Sequence, residues 1–328
     1  MSSIAILGLG NFGTALARVL LLDGHSIVGW TVEEDVFESI DKTGINEKYL
    51  AGIKLDGLRA SMSLGDVIPG ADIVVLALPS GVVLKVLDDV IPLLAENQIL
   101  IDLAKGLAPG DRLVSEAIED QLEQAGKHNS VVVMMGPTIA PEMARGVLTV
   151  ALVASNDPAA AAQVAKELTT STLKLQPAPD PVGAEYWGAF KNVIALACGV
   201  ADGLPTGGGD NLKAAIFTAG YRAGCQFLPT LGAQPETALG PAGIGDLYVT
   251  ATSPHGRNRQ MGEKLGSGLS LEQALGEMVM VSEGVRATRM FAQRMQTDGV
   301  EVPFVTAVLS LIEGIATAQE AVAALLEA

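Results

Sequence analysis

The side chains best placed for chemistry in this sequence are charged groups in apolar surroundings. Lys191 and Glu185 both fall within the apolar stretch 181–203, which is long enough for about six turns of a helix buried among other helices. A cation in such a helix must be stabilised by an anion, a hydrogen-bond network or a ligand. The stretch therefore predicts either a structural Glu185–Lys191 pair or a lysine that faces an active-site cleft.

A second lysine, Lys105, follows the predicted strand 99–103 and precedes a glycine. The segment 136–142 follows the predicted strand 131–135, and its backbone amides and the Thr138 hydroxyl can bind an anion. Ligands of open α/β sheets bind at the carboxyl ends of the strands. This position favours a ligand contact for Lys105 over the alternative of a solvated loop lysine.

Two predicted loops in the second half of the chain carry further polar groups. The first places Asp246 and Thr250 after a glycine-rich approach, and the second, 253–259, contains Arg257 and Asn258. Arginine binds phosphate oxygens in a bidentate manner, and a neighbouring amide can donate beside it. The second loop therefore predicts a phosphate site, with an inert surface arginine pair as the alternative.

The elements that must position these groups begin with a glycine fingerprint. Gly8, Gly10 and Gly13 form the pattern GxGxxG between the predicted strand 4–7 and an apolar stretch of helical periodicity. In dinucleotide-binding folds these glycines make a tight turn, admit the pyrophosphate and allow close helix–strand packing, in that order. The following helix N-terminus adds amide donors. The pattern predicts a dinucleotide site, against the alternative of a glycine-rich turn without a ligand.

An acidic group follows the second predicted strand. Glu33 lies about 20 residues beyond the last fingerprint glycine, where a carboxylate accepts from the adenosine ribose and repels a 2′-phosphate. This position favours NAD over NADP. In the alternative, Glu33, Glu34 and Asp35 are helix N-terminal residues favoured by the helix dipole.

Alternating apolar strands and helices predict an N-terminal Rossmann-like, doubly wound and mostly parallel sheet. The strand pattern stops at the proline-rich segment 177–181, which is predicted to be a hinge. Beyond it the pattern is helical and ends in one long predicted helix, 303–324. We therefore expect a dinucleotide-binding domain over residues 1–178 and an all-α substrate-binding and catalytic domain over residues 179–328.

Composition narrows the classes of partner. The 328 residues carry 21 Lys and Arg against 37 Asp and Glu, a net charge of −16, which argues against nucleic acid or an anionic membrane as a partner. The two cysteines lack metal-ligand spacing and are predicted to be buried thiols, so we expect no metal site and a reducing compartment. With no signal peptide or spanning segment evident, the sequence predicts a cytoplasmic protein.

Taken in order, the motifs resemble those of the bacterial type of the NAD(P)-dependent glycerol-3-phosphate dehydrogenase family. The matching segments are GLGNFGTALA at 8–17, AKG at 104–106, GPTIAPE at 136–142, GAEYWGAFKNVIALACGVADGL at 183–204, GDNLKAA at 209–215, GIGDLYVTATS at 243–253, GRNRQMG at 256–262 and SEGVRAT at 282–288. They extend over nearly the whole chain. The C-terminal segments are far more specific than the glycine fingerprint.

The resemblance implies roles for individual residues. Lys191 matches the catalytic lysine, supported by Asp246, and Lys105 matches a lysine at the junction of cofactor and substrate. Substrate-binding positions, including those that support the lysine, are Lys105, Gly136, Thr138, Asn192, Thr250, Gly256, Arg257 and Asn258. Cofactor-binding positions are Gly8, Gly10, Asn11, Phe12, Gly13, Lys105, Ala140, Arg257, Val281 and Glu283, to which the spacing argument above adds Glu33.

The resemblance also implies a reaction and a setting. The reaction is reversible hydride transfer between NAD(P)H and dihydroxyacetone phosphate, giving sn-glycerol 3-phosphate for phospholipid synthesis, in a cytoplasmic homodimer. Gly256, Ala219 and Ala223 depart from the family pattern. One alternative is a related dehydrogenase acting on a hydroxy acid or a ketopantoate-like carboxylate. A second is a dinucleotide-binding protein without turnover.

Overall fold

A computed structural model describes residues 1–110, 112–253, 256–278 and 282–328 of the chain. It divides into two compact units, Met1–Glu185 and Tyr186–Ala328. The sequence places the domain boundary at residue 178, where the strand pattern ends. The unit boundary falls inside the long helix Pro181–Gly203 that follows.

The first unit is built on one sheet in the order β3-β2-β1-β4-β5-β6-β7-β8. Neighbouring strands are parallel except β6 and β7, which run antiparallel. This arrangement confirms the predicted Rossmann-like, mostly parallel sheet. The strands are β1 (Ser3–Leu7), β2 (Ser26–Trp30), β3 (Arg59–Ser61), β4 (Ile73–Leu76), β5 (Ile99–Asp102), β6 (Val131–Met135), β7 (Thr149–Ala154) and β8 (Leu173–Ala178).

Helices cover both faces of this sheet. Along β1, Ile4 and Ile6 enter the apolar core on one face, whereas Ala5 and Leu7 enter the core on the other. A strand buried on both faces has a nearly continuous apolar sequence, which is the pattern that made β1, β4, β5 and β6 predictable. The helices of this unit are α1 (Asn11–Leu22), α2 (Glu34–Thr43), α3 (Ser80–Val90), α4 (Val114–Gln124), α5 (Ala140–Ala144) and α6 (Pro158–Leu168).

The last strand corrects the predicted hinge. Pro177 lies within β8 and is opposite Val153 of β7. Because β8 is the edge strand, its outer side has no neighbouring strand, and a proline that lacks an N–H donor is tolerated there. The proline-rich composition therefore concealed a strand that the sequence analysis did not predict.

The second unit is helical, as predicted, and α7 (Pro181–Gly203) runs into it from the first. Residues 183–201 of α7 are all buried, which confirms a helix covered on every side. The other helices are α8 (Asp210–Phe227), α9 (Pro235–Ala238), α10 (Asp246–Thr252), α11 (Arg257–Gly266), α12 (Leu271–Gly276), α13 (Glu283–Asp298), α14 (Pro303–Ile312) and α15 (Ala318–Glu327). A short π-helical turn, Pro241–Gly245, precedes α10.

Glycines bring α7 and α11 into close contact. A Cβ on Gly199 would overlap the carbonyl oxygen of Arg259, and a Cβ on Gly262 would overlap that of Leu196. Gly203 shows the same relation to Glu263 of α11. Small residues let two helix backbones approach closely, so this crossing fixes the start of α11 relative to the middle of α7.

Small residues on α8 have a similar role. A Cβ on Gly224 would lie 2.6 Å from the ring of Trp187 and 3.0 Å from that of Phe190. Ala219 and Ala223, two of the positions that depart from the family pattern, are buried on the same helix. The departures therefore belong to a helix that packs through small side chains against the aromatic residues of α7.

Three further expectations differ from the structure. The predicted helix 303–324 is two helices, because Gly314 adopts a left-handed conformation (φ +67°) after α14, and Thr317 forms a capping box with Glu320 that starts α15. Cys198 is buried as expected, but Cys225 is only half-buried. The predicted loops around Asp246 and Arg257 are instead helical, as described below.

Within the part of the chain that the structure describes, no helix combines the length and apolar character needed to cross a bilayer.

Candidate active site

The glycine fingerprint forms the turn between β1 and α1. Gly8 has a φ of +107°, and a Cβ on it or on Gly13 would overlap neighbouring carbonyl oxygens. By contrast, a Cβ on Gly10 would meet nothing within 4 Å, because this residue borders an open cleft. No side chain caps the first turn of α1, so its amides remain suited to an anion. The geometry fits a pyrophosphate at this turn.

The cleft beside this turn has a volume of about 460 Å³. Its lining includes Gly8, Asn11, Phe12, Trp30, Glu33, Tyr49, Leu78 and Val82. Buried Asn46 stabilises the fingerprint turn, because its side-chain amide donates to the carbonyl of Leu9 at 2.8 Å and to the Thr14 hydroxyl at 2.9 Å. The sequence analysis missed Asn46 and Tyr49, since neither belongs to a recognisable motif.

Glu33 follows β2 as the N-cap residue of α2, and each of its carboxylate oxygens accepts one hydrogen bond. Tyr49 donates its hydroxyl to Oε1 at 2.8 Å, and the Lys48 ammonium bonds Oε2. Lys48 also bonds Asp35 at 3.0 Å, and these two carboxylates raise the pKa of the Lys48 ammonium. The helix alternative is correct by position for all three residues, because Glu33 is the N-cap of α2 and Glu34 and Asp35 lie in its first turn, although the Glu33 side chain makes no capping bond.

Lys105 joins two predicted anion-binding segments. Its ammonium donates to the carbonyl of Gly136 at 3.1 Å and to the Thr138 hydroxyl at 3.2 Å. The same segment continues into α5, which begins at Ala140 and packs against α1. The carboxyl end of β5, the loop after β6 and the fingerprint helix are thus connected within the first unit.

Two buried carboxyl groups lie at the end of β5 and beside the start of α4. Asp102 ends β5, and its Oδ1 accepts from the amide of Ala104 at 3.2 Å while its buried Oδ2 has no hydrogen-bond partner in the described structure. Glu185 accepts from the amides of Val114 and Ser115 and from the Ser115 hydroxyl. Burial raises the pKa of Glu185 to about 7, and burial together with the charge of Glu185 raises the pKa of Asp102 well above its ordinary value.

In the second unit, Lys191 forms an ion pair with Asp246. Both side chains are only 3% exposed. Asp246 begins α10, and the Thr250 hydroxyl donates to its carbonyl oxygen at 2.6 Å, one turn later. The acidic partner of Lys191 within this unit is therefore Asp246, whereas Glu185 is held by amide and hydroxyl donors of the first unit.

The neighbouring residue on α7, Asn192, starts a second polar cluster. Its side-chain oxygen accepts from the amide of Asn258 at 2.8 Å. The oxygen of Asn258 in turn accepts from the Ser282 hydroxyl and from the backbone amide of Gly284, each at 2.8 Å. The side chain of Asn258 is thereby fixed in one orientation. Ser282 lies inside a matched motif, but the motif alone did not reveal this contact.

Arg257 and Asn258 occupy the first turn of α11, so the predicted loop is helical from residue 257 onward. Gly256 is the N-cap, and no side chain caps this end. Arg257 is exposed, whereas Arg259 bonds Asp202 of α7 at 2.6 Å. The sequence predicts a helix over residues 261–265, within α11, whereas α10 and the first turn of α11 escaped prediction because so few residues show no clear helical period.

The structure thus assembles two groups of predicted site residues, one in each unit. The first contains the fingerprint, Glu33, Lys105, Gly136, Thr138 and Ala140, and the second contains Lys191, Asn192, Asp246, Thr250, Gly256, Arg257 and Asn258. Glu283 begins α13 and is exposed, and Val281 lies outside the described residues. Among the described residues, no cluster of three or more His, Cys, Asp or Glu side chains is arranged to hold a metal ion.

Two family models match the chain. The model of the N-terminus of NAD-dependent glycerol-3-phosphate dehydrogenase matches residues 3–161, and the model of its C-terminus matches residues 180–323. Together they include the fingerprint, Lys105 and the residues around Lys191.

Individual relatives agree with these models. The glycerol-3-phosphate dehydrogenase [NAD(P)+] of an Exiguobacterium species is 38% identical over 95% of this chain and 91% of its own length, and that of Geobacter sulfurreducens is 36% identical over 97% and 95%. The crystal structure of glycerol-3-phosphate dehydrogenase from Coxiella burnetii has a TM-score of 0.89 and 30% identity over 100% of this chain and 99% of its own. The chain therefore belongs to the NAD-dependent glycerol-3-phosphate dehydrogenase family.

Proposed function

We propose that this protein catalyses reversible reduction of dihydroxyacetone phosphate to sn-glycerol 3-phosphate with a nicotinamide dinucleotide. The observation that carries the proposal is the buried Lys191–Asp246 pair, beside an asparagine that is itself held in one orientation. A buried ammonium is costly unless it is paired, and buried ionisable pairs are frequent at catalytic centres. Family membership supplies the substrate.

The first unit would hold the cofactor. The turn at Gly8, Gly10 and Gly13 suits the pyrophosphate, the cleft beside it suits the adenosine end, and Ala140 is a proposed contact from the family pattern. Glu283, which belongs to the second unit, is also a proposed contact from the family pattern. When bound, the dinucleotide supplies the hydride that is transferred to the C2 carbon of the substrate. The protein must bind and orient both reactants.

Lys191 is the proposed proton donor. Reduction of a ketone places negative charge on the oxygen, so a positioned cation stabilises that charge and its proton completes the alcohol. The proton moves from the Nζ atom of Lys191 to the C2 oxygen. Asp246 orients the ammonium, and the bond from Thr250 to the Asp246 carbonyl stabilises the first turn of α10.

Phosphate binding is assigned to the start of α11. Arg257 offers a guanidinium that matches phosphate geometry, and Gly256 and Asn258 lie beside it in the chain. Lys105, Gly136 and Thr138, which are bonded to one another, are further proposed substrate-binding residues from the family pattern. Binding of the remote phosphate orients the reacting carbon, which lowers the barrier to hydride transfer.

The setting of the reaction is proposed from the family. We propose a cytoplasmic homodimer that supplies glycerol 3-phosphate to phospholipid synthesis. Size-exclusion chromatography with light scattering tests the dimer, and fractionation of cells tests the compartment.

Steady-state oxidation of NADH and NADPH tests the function. Dihydroxyacetone phosphate is compared with ketopantoate and with pyruvate, which represent the carboxylate substrates of related dehydrogenases. We expect turnover with dihydroxyacetone phosphate and a kcat/KM at least about 100-fold lower for the carboxylates, because the tetrahedral phosphate is the group that Arg257 and Asn258 would recognise. Preference for a carboxylate would contradict the proposal, and absence of turnover with every ketone would indicate a binding protein.

A further inference from the structure

We propose that Lys48 and Tyr49 position the Glu33 carboxylate on the wall of the fingerprint cleft, and that the protein thereby selects NAD(H) over NADP(H). This inference rests on the proposed function for the identity of the reaction. The two positioning residues come from the segment between α2 and β3, which contains no nucleotide-binding motif.

Glu33 forms part of the wall of the cleft. It lines the cleft together with the fingerprint glycines and lies three residues beyond Trp30, the last residue of β2. A carboxylate at this end of a Rossmann sheet accepts hydrogen bonds from the adenosine ribose. Its side chain is 32% exposed, so the carboxylate is accessible from solvent.

The Glu33 carboxylate is held in a fixed orientation. Tyr49 donates to one oxygen and Lys48 to the other, so the group cannot rotate away without breaking one of these bonds. Each carboxylate oxygen has two lone pairs, so both retain acceptor capacity for ribose hydroxyls. The Lys48 ammonium also lies 5.7 Å from the centre of the Tyr49 ring, which holds the two positioning residues together.

The cluster formed by Glu33, Asp35 and Lys48 is negatively charged. Glu33, Asp35 and Lys48 carry two negative charges and one positive charge, a net −1. A 2′-phosphate adds about −1.5 to −2 at neutral pH. Two of the three N–H donors of Lys48 are already bonded to Glu33 and Asp35, so a phosphate drawn to the third donor would lie beside both carboxylates and be repelled by them. The cluster therefore disfavours NADP(H) and retains the acceptor that NAD(H) requires.

The experiment measures dissociation constants for NADH and NADPH from cofactor fluorescence in the absence of substrate. We expect the wild type to bind NADH at least about tenfold more tightly than NADPH, a difference of about 1.4 kcal/mol in binding free energy. Glu33→Gln should reduce this ratio through tighter NADPH binding. Tyr49→Phe, which leaves the charge unchanged, should weaken NADH binding and raise the KM for NADH more than it lowers kcat.

Lys48→Met is made alone and in the Glu33→Gln background. If Lys48 acts through Glu33, the Lys48→Met substitution weakens NADH binding severalfold in the wild-type background. In the Glu33→Gln background the same substitution has no effect on NADH binding. The matched control is Lys42→Met, which removes an exposed lysine that pairs with Glu38 on α2 and does not line the cleft. Melting temperatures check that each variant is folded.

Equal or tighter binding of NADPH by the wild type would overturn the inference, as would an equal effect of Lys48→Met on NADH in both backgrounds. The proposed function is tested separately, by turnover of dihydroxyacetone phosphate. Selective NADH binding without such turnover would contradict the function and leave the selectivity intact. Turnover of dihydroxyacetone phosphate with NADH and NADPH bound at equal affinity would support the function and contradict the selectivity.

Discussion

Substitutions in the buried pair of Lys191 and Asp246 can separate the contribution of the pair to stability from its contribution to catalysis. Both side chains are 3% exposed, so Lys191→Met leaves the Asp246 carboxylate buried without this ammonium. Breaking a buried pair in this way costs about 3–5 kcal/mol, whereas removing both charges is often close to neutral. We therefore expect Lys191→Met to lower the Tm by on the order of 10 °C. The double variant Lys191→Met/Asp246→Asn should recover most of that loss.

Catalysis should respond differently. Because the proposed proton donor is missing from both variants, each should lose at least about 100-fold in kcat with dihydroxyacetone phosphate, whatever its stability. NADH binding should persist, since the fingerprint turn and its cleft belong to the first unit. The assays are urea unfolding, steady-state NADH oxidation and cofactor fluorescence, all at a temperature where both variants are folded.

An exposed ion pair serves as the matched control. Lys264 and Glu277 pair at 2.5 Å with side chains 28% and 55% exposed, and Lys264→Met should cost less than about 1 kcal/mol. If the double variant is stable and keeps more than about a tenth of the wild-type kcat, general acid catalysis by Lys191 is refuted, because such a group contributes about 100-fold or more. Failure of the double variant to regain stability would instead refute the view that charge burial dominates the cost.

Three other perturbations test separate parts of the structure. Burial raises the pKa of Glu185 to about 7 from an ordinary value of 4.5, so the folded state binds a proton more tightly than the unfolded state. The free energy of unfolding should therefore fall by about 3 kcal/mol as the pH rises from 4.5 to 7. Glu185→Gln should flatten this pH dependence in urea titrations, and an unchanged pH dependence would contradict the prediction. Arg257→Ala should raise the KM for dihydroxyacetone phosphate strongly, at least about tenfold, if the guanidinium clamps the phosphate; an unchanged KM would remove this contact. Gly262→Ala should lower the free energy of unfolding by about 1–3 kcal/mol, because the added Cβ overlaps the Leu196 carbonyl. The control Gly276→Ala, whose Cβ meets nothing within 4 Å, should be neutral or stabilising. Similar unfolding midpoints for the two variants would contradict the close crossing of α7 and α11.

The parts of the fold that could be predicted from the sequence are those whose burial leaves a local pattern. The strand β4 is apolar throughout, and β5 is apolar up to Asp102 at its end, because helices cover both faces of the sheet. Helix α7 is mostly apolar on all sides because it is enclosed. The edge strand β8 has Lys174, Gln176 and Pro177 among its six residues, so its pattern resembles a linker. The sequence does not show that β7 pairs with it, and only that pairing makes it a strand.

The candidate site shows the same division between local and distant information. The glycine spacing at residues 8–13 is set by one tight turn, so it can be recognised without knowing any other part of the chain. The contacts that orient Glu33 depend on Lys48 and Tyr49, which lie 15 and 16 residues away along the chain and reach it only after α2 has been placed. No periodicity or motif encodes that approach. The residues that orient the Glu33 carboxylate are consequently harder to predict from a single sequence than Glu33 itself, which its distance from the glycine fingerprint reveals.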